Sequence, residues 1–237
     1  EKNIEISEVS WTSMWAIIWS CLALWYNWEQ MEKIISQINF LKLIDINLKD
    51  SLVSWNKVLK KLEEIYWEKT FIDTKIPLKI IVTNAITWEK EIITSWKIKD
   101  AVRASISIPG VFKAYKIWEK TYVDWWIKSN LPVLELESKN IIAVSTIRWD
   151  LNLKDHRNFM NFKIKKLLFS NTYDTIKKTI SIIMSTNEDL NMEIAKNNWK
   201  NIILLEPNLA NYEYFEFTKF KEIIDIWYDY AKNKLFI

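Results

Sequence analysis

An α/β fold, with a mainly parallel central sheet flanked by helices, is the fold class this sequence predicts. Three observations carry it. Strand-type and helix-type apolar patterns alternate along all 237 residues, the arrangement that covers a sheet on both faces. A strand pattern over residues 4–10 runs without a linker into a sharp turn and an apolar helix. Residues 140–146 form a largely β-branched run, typical of strands buried on both faces.

Taken in order, the first strand is followed at once by Trp11-Thr12-Ser13-Met14-Trp15 and a helix to about residue 24. Residues 29–38 and 57–66 carry apolar side chains at helical spacing with charged opposite faces. Residues 78–87 and 91–95 are expected to pair as a hairpin. Residues 99–106 read as a helix stopped by Pro109-Gly110, and 111–117 with 120–124 as a second hairpin. After the strand at 140–146 come a mainly helical stretch at 159–183, a last strand at 201–206 and a closing helix at 214–234. No repeat, linker or low-complexity tract interrupts the chain, and its length suits one domain over 1–237.

Composition narrows the function. With 33 basic against 30 acidic residues the net charge is only +3, too small and too dispersed for a nucleic-acid partner. It is compatible with peripheral contact with anionic lipid. The longest mainly apolar run, residues 15–25, is shorter than the roughly 20 residues a membrane-spanning helix needs. A single cysteine, Cys21, excludes an internal disulfide and favours a reducing, cytoplasmic setting.

The chain has 15 tryptophans and one glycine, where average usage of about 7% predicts roughly 17 glycines. Adding the tryptophans to Gly110 restores that figure, and their placement points the same way. Trp88 and Trp118 fall at hairpin tips, Trp25 and Trp67 at helix C-termini, and Trp199 in a turn before a strand. These are positions where a left-handed backbone, and hence glycine, is favoured. A UGA codon reassigned to glycine but translated as tryptophan would leave this pattern. The competing reading keeps the tryptophans as an aromatic membrane-surface belt, which would favour one face rather than turn tips.

With glycine at 11 and 15, the first turn becomes G-T-S-M-G, a G-x-S-x-G nucleophile elbow in its strand-to-helix context. The residues two before and two after the serine must be small, so literal tryptophans are expected to defeat the geometry. Ser13 also suits a helix N-cap, and Asp124 suits a turn residue closing a hairpin.

Three segments resemble the bacterial-type patatin-like phospholipases. Residues 11–19 look like that family's G-T-S-x-G-A-I-x-G, and residues 101–112 like its A-x-R-A-S-x-S-x-P-G-x-F. Asp124-Trp125-Trp126, with Asn130-Leu131-Pro132 after it, looks like its D-G-G and N-x-P motif. The resemblance implies a three-layer sandwich and a Ser13–Asp124 dyad acting on phospholipid or another fatty-acyl ester. In that dyad Asp124 takes the Ser13 proton and an acyl-enzyme forms, with no cofactor or metal. A carboxylate serves as such a base when partial burial raises its pKa.

The family's glycine-rich oxyanion loop, G-G-x-R/K-G, lies upstream of the elbow, and only ten residues precede Trp11. A chain truncated at its N-terminus is therefore expected. Losing oxyanion donors costs roughly 100-fold or more in rate, and the Met14 N–H supplies one donor at most. A catalytically inactive domain that binds lipid or a partner is the alternative. His156, the sole histidine, follows Ser13 and Asp124 in the order of an α/β-hydrolase triad, but its polar surroundings suit a solvated loop. Lys163, Lys165 and Lys166 read as a solvated helix face.

Overall fold

The computed structural model describes residues 4–37, 55–109, 112–124, 130–146, 170–209, 212 and 219–235. The chain divides into two compact units, residues 1–139 and 140–237.

In the first unit a five-stranded sheet is built around β2 (Leu78–Asn84). This strand is buried almost throughout, as its run of Ile80, Ile81 and Val82 demands. β1 (Val9–Thr12) pairs with it in parallel, from Val9 opposite Leu78 to Thr12 opposite Ile81. β3 (Lys90–Ile93) returns antiparallel along β2, and β5 (Lys120–Val123) is antiparallel both to the end of β2 and to β4 (Tyr115–Ile117). The sheet is thus mixed, not mainly parallel. The connections explain the correction: short loops join β2 to β3 and β4 to β5, and a short loop reverses a strand, whereas a parallel neighbour needs a crossover.

α1 (Trp15–Ala23) buries Ala16, Ile17, Ser20, Cys21 and Ala23. α2 (Trp28–Gln37) starts at a reciprocal cap, in which the Gln30 N–H donates to Asn27 Oδ1 and the Asn27 N–H to Gln30 Oε1. α3 (Trp55–Tyr66) ends at the buried Tyr66, whose hydroxyl donates to the Ile17 carbonyl of α1 at 2.7 Å. α4 (Ile98–Ser105) is the most enclosed of these helices and packs against β2. The N-terminal strand begins later than the pattern suggests, because Ile4 and Ile6 are exposed and only Val9 onward pairs with β2.

In the second unit β6 (Asn140–Val144) and β7 (Asn201–Leu205) form an in-register parallel pair. Ile141 and Ala143 are buried while Ile142 and its partner Ile203 are exposed, so β6 is covered on one face rather than two. α5 (Ser170–Asn197) continues well past residue 183. Buried Ser181, Met184, Ser185, Glu188, Met192 and Ala195 recur at helical spacing and account for the extension. α6 (Phe220–Leu235) closes the described chain. No helix among the described residues is long and apolar enough to cross a membrane.

Among the described residues, seven other than glycine have a left-handed backbone, and six of them are tryptophans: Trp25, Trp67, Trp88, Trp96, Trp118 and Trp199, with φ between 49° and 88°. Trp25 ends α1 in a Schellman motif, its N–H on the Leu22 carbonyl and the Tyr26 N–H on the Cys21 carbonyl. Trp199 ends α5 in the same way, through Lys196 and Ala195. Trp118 occupies the two-residue tip between β4 and β5. The indoles project into solvent, 86% exposed at Trp199 and 76% at Trp67.

Candidate active site

Strand register brings the ends of β1 and β5 to the same edge of β2. Ile80 and Ile81 of β2 each pair with β3 on one side and with β1 on the other. Thr83 pairs with Lys90 of β3 and with Val123 of β5. A strand residue has one neighbour on each side, so β1 and β5 share the edge of β2 opposite β3. They approach each other end to end. β1 stops opposite Ile81 and β5, running the other way, stops opposite Thr83. That gap is two residues along β2, about 6.6 Å. Ser13 and Asp124 are the residues that follow these two ends.

Ser13 leaves β1 with φ of 62° and leads directly into α1. This is a strained strand-to-helix turn of the elbow type, in a conformation costing roughly 1–2 kcal/mol for a residue bearing Cβ. Met14, not Ser13, holds the N-cap position of α1, and no side chain caps the helix. The capping role considered for Ser13 is therefore not the one it plays. Thr12 is buried, Ser13 and Met14 are half-buried and Trp15 is exposed. Asp124 is 5% exposed at the end of β5.

The C-terminus of α4 and the residues just after it bond to both residues. The Ser13 N–H donates to Ser105 Oγ at 2.9 Å, and that hydroxyl donates to the Ile81 carbonyl at 2.8 Å. Two residues on, the Ser107 carbonyl accepts the Asp124 N–H at 3.0 Å, and Thr83 Oγ1 donates to the Asp124 carbonyl at 3.4 Å. Arg103, fully buried, donates from Nη1 to Ser107 Oγ at 2.9 Å, and its guanidinium carbon lies 5.1 Å from the Tyr115 ring centroid. Burial pushes Arg103 down to about 9, which leaves it a cation at neutral pH. The bonds to Ser13 and Asp124 hold their backbone, and among the described residues none joins Ser13 Oγ to the Asp124 carboxylate.

Ser105 and Ser107 were visible in the sequence only as members of a resembling segment. The signal that singles them out is physical: small hydroxyl residues, fully buried at the last position of α4 and just past its C-cap, where the helix's other buried positions are mainly apolar. Trp125, Trp126, Gly110, His156, Lys163, Lys165 and Lys166 lie outside the described residues.

The elbow forms even with tryptophan at 11 and 15, against the expectation that the indoles would defeat it. Trp11 is buried and packs edge-on against Trp15 and Trp19, at 6.1 and 5.1 Å between centroids. The accommodation leaves the indole N–H groups of Trp11 and Trp19 buried without acceptors, at about 1–3 kcal/mol each.

One comparison with known proteins bears on this geometry. The family model described as patatin-like phospholipase matches residues 2–137, a span holding the elbow, the Ser105–Ser107 segment and Asp124.

Proposed function

This chain belongs to the patatin-like phospholipase family, a family of lipid acyl hydrolases, and from that premise we propose that it is a serine esterase with Ser13 as nucleophile and Asp124 as base. The observation that carries the reading is the left-handed Ser13 at the tip of β1, facing the end of β5 across the same edge of β2. Ser13 Oγ attacks the carbonyl carbon of a phospholipid or other fatty-acyl ester while its proton passes to the Asp124 carboxylate. The alcohol leaves with that proton, giving an acyl-Ser13 ester. Water, deprotonated by Asp124, then releases the fatty acid and returns the proton to Ser13. Peripheral contact with a lipid surface would deliver the substrate.

The test is turnover of short-chain nitrophenyl esters and phospholipid by the full-length protein, with fluorophosphonate labelling alongside. Ser13→Ala and Asp124→Asn should each lower turnover by about a thousand-fold or more, without additive loss in the double variant, because the two groups act as a unit. His156→Ala should stay within about threefold of the parent, since the dyad assigns it no proton. A loss in His156→Ala equal to that in Asp124→Asn overturns the dyad in favour of a triad. A native protein that binds lipid vesicles but neither turns over esters nor labels would mark an inactive binding domain.

The same reading takes the 15 tryptophan positions as glycine in the organism's own protein. The left-handed backbone at six of them and the buried, unpaired indoles at Trp11 and Trp19 support it. Codons other than UGA at 11, 15, 125 and 126, or tryptophan in peptides from the native protein, would reject it.

A further inference from the structure

We propose that Ser105 is a positioning residue, whose hydroxyl holds the backbone of the nucleophile in its strained conformation. The proposal rests on Ser13 being the nucleophile. Ser13 follows the last β1–β2 pair, Thr12 with Ile81, and its N–H bonds to a side chain rather than to β2. A half-buried N–H beyond the ladder needs another acceptor. Ser105 Oγ provides it at 2.9 Å. The direction of this chain of bonds is fixed. An amide can only donate and a carbonyl can only accept, so the one Ser105 proton goes to the Ile81 carbonyl and a lone pair faces Ser13.

Ser105 is fully buried, so water does not compete for either bond. Because Ile81 is the strand partner of Thr12, the hydroxyl ties the elbow to the strand it has just left. Without that acceptor the Ser13 amide is driven to rotate toward another partner, and Oγ rotates with it. The Ser107 carbonyl meanwhile holds the Asp124 amide from two residues further along. Loss of the Ser105 hydroxyl therefore shifts the nucleophile relative to a base whose own anchor is intact.

The experiment compares Ser105→Ala and Ser105→Thr with the parent in the full-length protein, with Thr70→Ala as a control for stability alone. Thr70 caps a 3₁₀ turn at residues 71–73, where its hydroxyl donates to Asp73. Ser105→Ala should lower both kcat and the fluorophosphonate labelling rate by roughly 10- to 100-fold, the scale of a nucleophile misplaced by about 1 Å. KM should stay within about threefold, because substrate binding is not what the hydroxyl serves. Ser105→Thr keeps the hydroxyl and should recover most of the labelling rate. If Ser105→Ala does not fold, Ser105→Cys, of similar size and a weak acceptor, carries the same expectation.

Labelling of Ser105→Ala at the parental rate, or equal losses in the Ala and Thr variants, would overturn the proposal. So would a loss no larger than that in Thr70→Ala. Failure of the underlying reading looks different, since Ser13→Ala would then still be labelled.

Discussion

The left-handed backbone occurs in two kinds of place in this molecule, and the two are held differently. At Ser13 it is enclosed: the amide bonds to Ser105, strand β1 is paired with β2 up to the preceding residue, and α1 starts immediately after. At Trp25, Trp67, Trp88, Trp118 and Trp199 it lies at exposed helix ends and loop tips, with the indole in solvent. Strain at the first place is kept by surrounding bonds, as at functional sites where a particular side chain must be presented. At the others nothing requires the side chain, and glycine removes the strain without loss.

The largest effect expected from this difference is at Ser13 itself. Ser13→Gly should lower ester turnover by about a thousand-fold or more and at the same time raise stability by roughly 1 kcal/mol, as the left-handed penalty disappears. Urea unfolding and nitrophenyl ester assays on one preparation measure both. A Ser13→Gly protein no more stable than the parent would mean that the elbow stores no strain.

Glycine at the six left-handed tryptophan positions should act in the same direction on stability and leave turnover alone. About 1 kcal/mol is expected at each exposed turn, several kcal/mol together, read as a rise in the urea midpoint. The gains should be smallest at Trp96 and Trp118. Their rings meet edge-on at 4.9 Å and Trp96 Nε1 donates to Asp100 at 3.1 Å, contacts that offset part of the strain. An unchanged midpoint in the sixfold variant would break the comparison, since both places would then tolerate a Cβ equally.

Much of this was legible in the residues. Turn chemistry alone marks five of the six left-handed tryptophans, because hairpin tips and helix ends announce themselves through the patterns on either side. Trp96 escapes, lying in Ser95-Trp96-Lys97 between a strand and a helix with no such pattern around it. The strand–turn–helix context of Ser13 is equally local. What the residues do not show is register. That β1 and β5 end two residues apart along one edge of β2 follows from which residues of β2 pair on which side, a nonlocal fact no spacing encodes. The mixed sheet escaped for a related reason: the hairpins at 78–95 and 111–124 were visible, but not that their strands join the sheet of β1.

The smallest effect concerns the far end of β1, where Glu8 tests whether support of the elbow is local. Burial opposes ionisation of Glu8, but hydrogen bonds from the Ser138 amide and hydroxyl, from Lys79 and from the Glu137 amide outweigh it and hold the carboxyl below its usual range. A carboxyl whose folded pKa is depressed adds stability that is present above its unfolded value of about 4.3. That stability is lost as pH falls through the lower folded value. Glu8→Gln should therefore cost about 1–3 kcal/mol at pH 7, and the gap to the parent should narrow as pH drops below about 4. Turnover at pH 7 should stay within about twofold of the parent, because the bonds lost lie at the start of β1 and those that hold Ser13 lie beyond its end. A gap that persists unchanged in acid would assign the loss to packing rather than to the charge. A fall in turnover matching that of Ser105→Ala would show that the elbow is held by the whole strand, and the contrast between its enclosed strain and the open turns would rest on β1 rather than on Ser105.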